Sequence, residues 1–300
     1  MSLSECVLPG GLIDARGQVH KHTKFRSLSG QEEEMLLNLQ GSTIPEKVSK
    51  LISQCVQSIG TISPVSEEHA RQCLAADRQY LMLKLRQLSF GDKVAFSVAC
   101  PWQGCAQRVD VDFSISQLDV GDAGLERVVH TWVVPDELVS KAKSICFRLP
   151  NGEDQETLIA LVEQDEIRAL DELLWRCIQR IDNVEQPSRA DVQALPVVVR
   201  KAFEQHMQNL APDMEIVMKA RCPECAREFD LPFDIQDFFL RELSTNQDVL
   251  RREVHYLAFH YHWSEQDILN MSRDKRRQYI QTLAEEIERM NESVNRYAAA

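Results

Sequence analysis

Apolar residues recur in one rhythm at two places in the chain. Val48, Leu51, Ile52, Cys55, Val56 and Ile59 are separated by steps of 3, 1, 3, 1 and 3, and Leu170, Leu173, Leu174, Cys177, Ile178 and Ile181 repeat those steps. Such spacing places one apolar stripe on one face of a helix. Pro45 suits the first turn of the earlier helix, after Ser42 or Thr43 as its cap. A further helix follows in each half. Its stripe is Ala70, Cys73, Tyr80, Leu81, Leu85 and Leu88 in the first, answered by Val192, Leu195, Ala202, Phe203, Met207 and Leu210. Elsewhere the period falls to two. KVAFSVACPWQGCAQRVDVDF and MEIVMKARCPECAREFDLPF each read as a strand, a Cys-Pro turn closed by a second cysteine, and a returning strand that ends at a Phe.

These coincidences share one register. FRSLSGQEEE begins at Phe25 and FRLPNGEDQE at Phe147, and 147 − 25 = 122. The same offset sets Leu51, Cys55 and Ile59 against Leu173, Cys177 and Ile181, and Cys100 against Cys222. A duplicated unit is therefore expected: a strand closed by a Gly turn, an acidic helix start, two amphipathic helices and a cysteine hairpin. The copies differ within the pair Asp77 and Arg78 against Val199 and Arg200, where an aspartate faces a valine beside a shared arginine, which predicts different outer surfaces. The expected units are 1–117 and 141–236, joined by a connector at 118–140 whose VVHTWVV reads equally as a strand or a short buried helix. From 237 to 300 the pattern is helical. Leu250, Val254, Leu257 and Tyr261 form one face, Ser264 caps a short turn with Asp267 in the capping-box position, and a last helix starts near Ser272. Its stripe of Ile280, Leu283, Ile287, Met290 and Val294 suits packing back on this chain or on a partner helix.

The expected fold is thus α+β: two duplicated halves, each of helices plus a β-hairpin, related by a pseudo-two-fold axis and joined at a four-cysteine zinc site, with an α-helical C-terminal region. Cys222 and Cys225 have zinc-knuckle spacing, and Cys100 and Cys105 have a looser one. The gap between the pairs exceeds that of a compact zinc ribbon, but the offset makes the two hairpin tips equivalent. Separate reduced pairs, or disulfide and redox chemistry, are the competing readings. Strand-like sequence on both sides argues against the redox reading, because a reactive Cys-x-x-Cys sits at a helix N-terminus. The other cysteines, Cys6, Cys55, Cys73, Cys146 and Cys177, lie apart and read as small core residues.

Composition narrows the function. With 300 residues and 44% hydrophobic content the chain can bury a sizeable core, and its net charge of −12 disfavours non-specific nucleic-acid binding. No signal peptide is expected in MSLSECVLPGG, and no apolar run approaches the roughly 20 residues that span a bilayer. A cytoplasmic chain with reduced thiols follows. His255, His260 and His262 beside Glu253 lack HEXXH spacing and read as partly buried structural residues, and His20 and His22 as surface residues. Glu32, Glu33 and Glu34 read as a solvated helix start, and RDKRR at 273–277 as a contact for an acidic partner surface. No nucleophile elbow, phosphate loop or dinucleotide fingerprint is present, so no enzyme and no small-molecule substrate is expected.

Several stretches resemble a known family. LPGG…GQVH, FRSLSGQEEE, RQYLMLKLRQLSFGD, FRLPNGEDQE and EVHYLAFHYHWSEQDILNMSRDKRRQYI, together running from about residue 7 to 285, are similar to the baseplate-protein family of T-even-type phage tails, relatives of which occur in phage-tail-like contractile injection systems. The resemblance implies a non-enzymatic hub or baseplate component, or an assembly factor, whose partners are other baseplate, hub or tail proteins. It implies no catalytic residues, and the zinc reading stands on the cysteines alone. The alternative is a zinc-ribbon regulator binding nucleic acid. Around the knuckles, however, Arg108, Lys219, Arg221 and Arg227 are offset by Asp110, Asp112, Glu224, Glu228 and Asp230.

Overall fold

The structure, a computed structural model, describes residues 3–14, 16–39, 41–118, 129–138 and 140–298. The N-terminal part runs β1 (Ser4–Ile13), β2 (Val19–Phe25), α1 (Gly30–Asn38), α2 (Ile44–Cys55), β3 (Val56–Ile59), α3 (Glu67–Gln72), α4 (Ala75–Phe90), β4 (Lys93–Ala99) and β5 (Arg108–Ser114). The order then recurs as β6 (His130–Val133), β7 (Ser144–Phe147), α5 (Gly152–Gln164), α6 (Glu166–Cys177), β8 (Ile178–Ile181), β9 (Val184–Glu185), α7 (Arg189–Gln193), α8 (Val197–Leu210), β10 (Ile216–Arg221) and β11 (Glu228–Phe233). Helices α9 (Ile235–Thr245), α10 (Gln247–Tyr261), α11 (Glu265–Leu269) and α12 (Arg273–Ala298) complete the chain. The class is α+β, with small antiparallel sheets ordered β1-β2-β3 and β6-β7-β8-β9 and two separate hairpins, β4-β5 and β10-β11. VVHTWVV supplies β6, which pairs with β7; its Val128 and the connector residues 119–128 lie outside the described residues.

Helix α6 has the bounds of α2 displaced by 122, and so has β8 relative to β3. The local chemistry matches too. Arg26 forks onto Glu32 at 2.8 and 2.9 Å while its N–H donates to the Cys55 carbonyl at 3.0 Å. Arg148 forks onto Asp154 at 2.6 and 2.9 Å while its N–H donates to the Cys177 carbonyl at 3.0 Å. Both acids lie in a helix's first turn, where the N-terminal end favours negative charge. In each half the helix yields to a strand directly after the cysteine, so Val56, Ile59, Ile178 and Ile181 belong to β3 and β8 rather than to the helical stripe. Thr43 caps α2 with Pro45 in its first turn.

Three departures from the sequence reading explain how the parts join. The stripe through Ala70–Leu88 is two helices, α3 and α4, broken at Leu74. There the chain turns extended and forms an antiparallel bridge with Asn151: Ala75 N–H donates to the Pro150 carbonyl at 3.0 Å, and Gly152 N–H to that of Cys73 at 3.1 Å. The second-half stripe is likewise split, into α7 and α8 at Pro196. Asp77 and Arg78, expected on an outer surface, are fully buried. Asp77 accepts the Gly10 and Gly11 N–H groups at 2.8 Å each and so fixes the bulge in β1. Arg78 reaches into the second half, donating from Nε to Gln155 at 2.9 Å and from its terminal nitrogens to Ser49 Oγ and the Pro45 and Ala70 carbonyls at 2.7–2.8 Å. A Cβ on Gly152 would stand 2.4 Å from the Arg78 guanidinium, so only glycine admits this approach.

The C-terminal region repeats the junction on the other side. Ser272 bridges Ser29, and Gly30 N–H donates to the Met271 carbonyl at 3.2 Å. Arg276, fully buried, donates to Glu33 at 2.7 Å and Glu253 at 2.9 Å. Glu32 and Glu33 are therefore buried rather than solvated, and the acidic partner of the RDKRR run is inside the chain. Ser264 caps α11 as expected, accepting the Asp267 N–H at 3.1 Å. Beyond Tyr279 the stripe does not pack back: Ile280, Leu283 and Ile287 are only partly covered and Met290 is 66% exposed. His20 is buried against Gly60 and lies 3.2 Å from Asp14, in contrast to the exposed His22; His255, His260 and His262 are exposed instead of partly buried. Cys55, Cys73, Cys146 and Cys177 are buried core residues, and Cys6 is half-buried.

Candidate metal centre

Both cysteine hairpins are built the same way. Cys100 N–H donates to the Gln107 carbonyl at 2.8 Å, and Cys222 N–H to that of Arg227 at 3.0 Å, closing each tip. The residue after the second cysteine, Ala106 or Ala226, takes a left-handed φ of 50° or 56°, which turns the chain back into β5 or β11. Each tip thereby points two sulfurs the same way.

The hairpins meet along their length. At the base Phe96 of β4 stacks on Phe233 of β11 with ring centres 5.4 Å apart, Phe113 of β5 meets Phe233 edge-on at 5.1 Å, and Phe238 of α9 packs at 5.1 Å. Nearer the tip, Val109 and Ala220 form a small separate core with the cysteines. Across the tips Arg227 lies over the Trp102 ring at 5.6 Å. The terminal Phe of each hairpin was legible in the sequence; that Phe113 and Phe233 would meet edge-on across the two hairpins was not.

All four cysteine sulfurs, of Cys100, Cys105, Cys222 and Cys225, lie within 4.8 Å of one another. Cys100 and Cys225 are 3.8 Å apart, and Cys105 and Cys222 3.6 Å. A tetrahedral zinc with sulfurs at about 2.3 Å requires sulfur–sulfur edges of about 3.8 Å. A disulfide requires about 2.05 Å, and all nine cysteines are free. The donor set therefore fits a metal ion of zinc's geometry, and each of these two pairs takes one sulfur from either hairpin. The backbone N–H groups of Cys225 and Glu224 hold the Cys222 thiol down to about 7 against the pull of burial, whereas burial and the neighbouring sulfurs push that of Cys100 up to about 12. With all four sulfurs bound, a tetrahedral ion there would have no open coordination position.

Among the described residues this is the one group of three or more metal-ligating side chains placed close enough to hold an ion; the exposed histidines of α10 form none. No described helix is long and apolar enough to cross a membrane. Around the tips, acidic and basic residues alternate without a basic face.

Fold and site together define a mixed α+β protein whose two cysteine hairpins bring four sulfurs into one cluster. Residues 16–240, three quarters of the chain, match the family described as T4 bacteriophage base plate protein, and the chain belongs to that family. The match ends inside α9, so α10–α12 lie beyond it. No curated protein and no solved structure matches the chain.

Proposed function

We propose that the chain is a non-enzymatic structural or assembly component of the baseplate or hub of a contractile phage tail or phage-tail-like injection system, and that it acts through protein–protein contacts with other baseplate, hub or tail proteins. The family match over residues 16–240 carries this reading. In it, residues 1–117 and 141–236 are duplicated units related by a pseudo-two-fold axis, with 118–140 as connector and 237–300 as a helical region. The shared displacement of α2 and α6, and of β3 and β8, supports the duplication. One zinc ion held by Cys100, Cys105, Cys222 and Cys225 fixes the angle between the units. The tip core is too small to do so by apolar burial alone, and a structural zinc contributes its binding energy directly to folding.

Partner contacts fall to surfaces the fold leaves open, among them the α12 stripe beyond Tyr279. Assembly takes place in the cytoplasm; a structural component is then incorporated into the particle, and an assembly factor is not. Deleting the gene from a producing strain is expected to reduce sheathed particles, counted by negative-stain electron microscopy, at least tenfold, and a plasmid copy should restore them. A normal particle yield in the deletion strain would overturn the reading.

A further inference from the structure

The two junctions of the fold are one device used twice, and the chain carries a third copy of it. In each, a serine caps a short helix, an extended residue follows eight positions after the serine, and an arginine stands twelve positions after it. The sets are Ser66, Leu74 and Arg78; Ser264, Ser272 and Arg276; and Ser188, Pro196 and Arg200. The first hook grips the glycine turn at Gly152, and the last grips the glycine turn at Gly30. Their extended residues, Leu74 and Ser272, bridge Asn151 and Ser29, which are themselves 151 − 29 = 122 residues apart. Three hooks thus face two turns, and both turns are taken.

The middle hook has the same build without an occupant. Pro196 lacks an N–H, but the bridge never uses that group: it uses the N–H of the next residue and the carbonyl of the one before, here Val197 and Leu195. Among the described residues, no backbone hydrogen bond joins either of these groups to another segment. Arg200 is anchored on Asp171, as Arg78 is on Ser49 at the equivalent position. The Nε that in Arg78 donates to the incoming Gln155 is, in Arg200, buried without a partner. Around it Ile167, Val197 and Val198 are 78%, 56% and 58% exposed, whereas their counterparts Pro45, Ala75 and Ala76 are buried or half-buried beneath the second half.

We propose that the face formed by α6, α7 and α8 around Arg200 docks a glycine turn and following helix start from a different polypeptide, which donates to the Leu195 carbonyl, accepts from Val197 N–H and offers Arg200 Nε an acceptor three residues after its glycine. The side-chain pattern selects against a second copy of this chain. Glu156, four residues after Gly152, is held by Ser49 and Arg71 in the first junction; in the middle hook those positions are Asp171 and Gln193, so a carboxylate there would face a carboxylate. A basic or amide residue fits at that fourth position. This chain's own turns carry Glu34 and Glu156 there, and both turns are already occupied.

This inference rests on the reading of the chain as a tail component that works by protein contacts. The test places a photo-crosslinking amino acid at Lys201, exposed one turn beyond Val197, in the full chain as the sole copy in a producing strain, and identifies crosslinked peptides by mass spectrometry. The expected adduct joins another polypeptide at a segment holding a glycine with Glu or Gln three residues later. It should fall at least tenfold with Arg200→Glu and several-fold with the milder Arg200→Gln, both first shown to melt cooperatively. Particles that contain the chain but give no adduct, an adduct to a segment without such a turn or to a second copy of this chain, or an adduct indifferent to both substitutions would overturn the docking face alone. Absence of the chain from particles and from every complex of tail proteins would overturn the functional reading beneath it.

Discussion

Arg276→Met should loosen the C-terminal helices more than any other single change in that region. The guanidinium is fully buried between Glu33 and Glu253, which are 5% and 7% exposed and lie 2.7 and 2.9 Å from it. Methionine retains much of the apolar stem but strands the buried Glu33 and leaves the buried Glu253 with only Arg277, 3.8 Å away. Breaking such an arrangement by removing one partner costs about 3–5 kcal/mol, chiefly the burden of stranded charge rather than the worth of the pair. Because α10 and α11 pack on α1 through this contact, the loss falls first on local docking, ahead of the global transition. Amide hydrogen exchange read by mass spectrometry should show residues 247–272 opening roughly 10² to 10³ times more readily, as about 1.4 kcal/mol corresponds to tenfold. A companion variant, Arg276→Met with Glu33→Gln and Glu253→Gln, should recover most of the protection. If Arg276→Met changes exchange there by less than threefold, or if the neutralised variant is no better, the stranded-charge argument fails.

Other expectations follow from the same contacts. Gly152→Ala drives a methyl to within 2.4 Å of the Arg78 guanidinium, and overpacking of this kind costs about 1–3 kcal/mol, to be read as a lowered urea midpoint; an unchanged midpoint would mean the junction is looser than its geometry. Asp154 gives a pH dependence. Burial pushes its carboxyl up, but Arg148, Arg176 and the Asn151 N–H more than offset this and hold it below the ordinary 3.8. A carboxyl lower in the folded than in the unfolded state contributes stability that is present above the unfolded value and is lost as pH falls through the folded one. Urea midpoints should therefore hold down to about pH 5 and drop below about pH 4. Asp154→Asn should lower the plateau and flatten part of that drop, and a variant curve parallel to the parent would refute the assignment.

What the sequence disclosed and what it withheld divide along a physical line. The cysteine hairpins were legible because a period of two, a Cys-Pro turn and a constant offset are local or self-referential signals. The helix starts at Pro45 and Ser264 were legible for the same reason. The break at Leu74 was not: no Gly or Pro lies between Gln72 and Ala75, Leu74 is itself a good helix former, and only the bridge to Asn151 interrupts the helix there. The equivalent break at Pro196 carries a visible signal, the proline itself, although the helical stripe reads straight through it. Arg276 and Glu33 lie 243 residues apart, so no window of sequence could join them; Glu33 reads as part of a solvated helix start and Arg276 as part of a contact for an acidic partner surface. His20 was misplaced because the register shift in β1 and the bare Cα of Gly60 let its ring turn inward.

The brace between the hairpins is the claim on which the architecture turns, and native mass spectrometry of the full chain, purified without chelator, tests it most directly. The account predicts one zinc ion per chain, no disulfide, and loss of that ion from Cys105→Ser and Cys222→Ser alike, since each variant removes one hairpin's sulfur from a shared tetrahedron. A metal-free chain, a disulfide-linked one, or one in which either substitution leaves the zinc in place would contradict it.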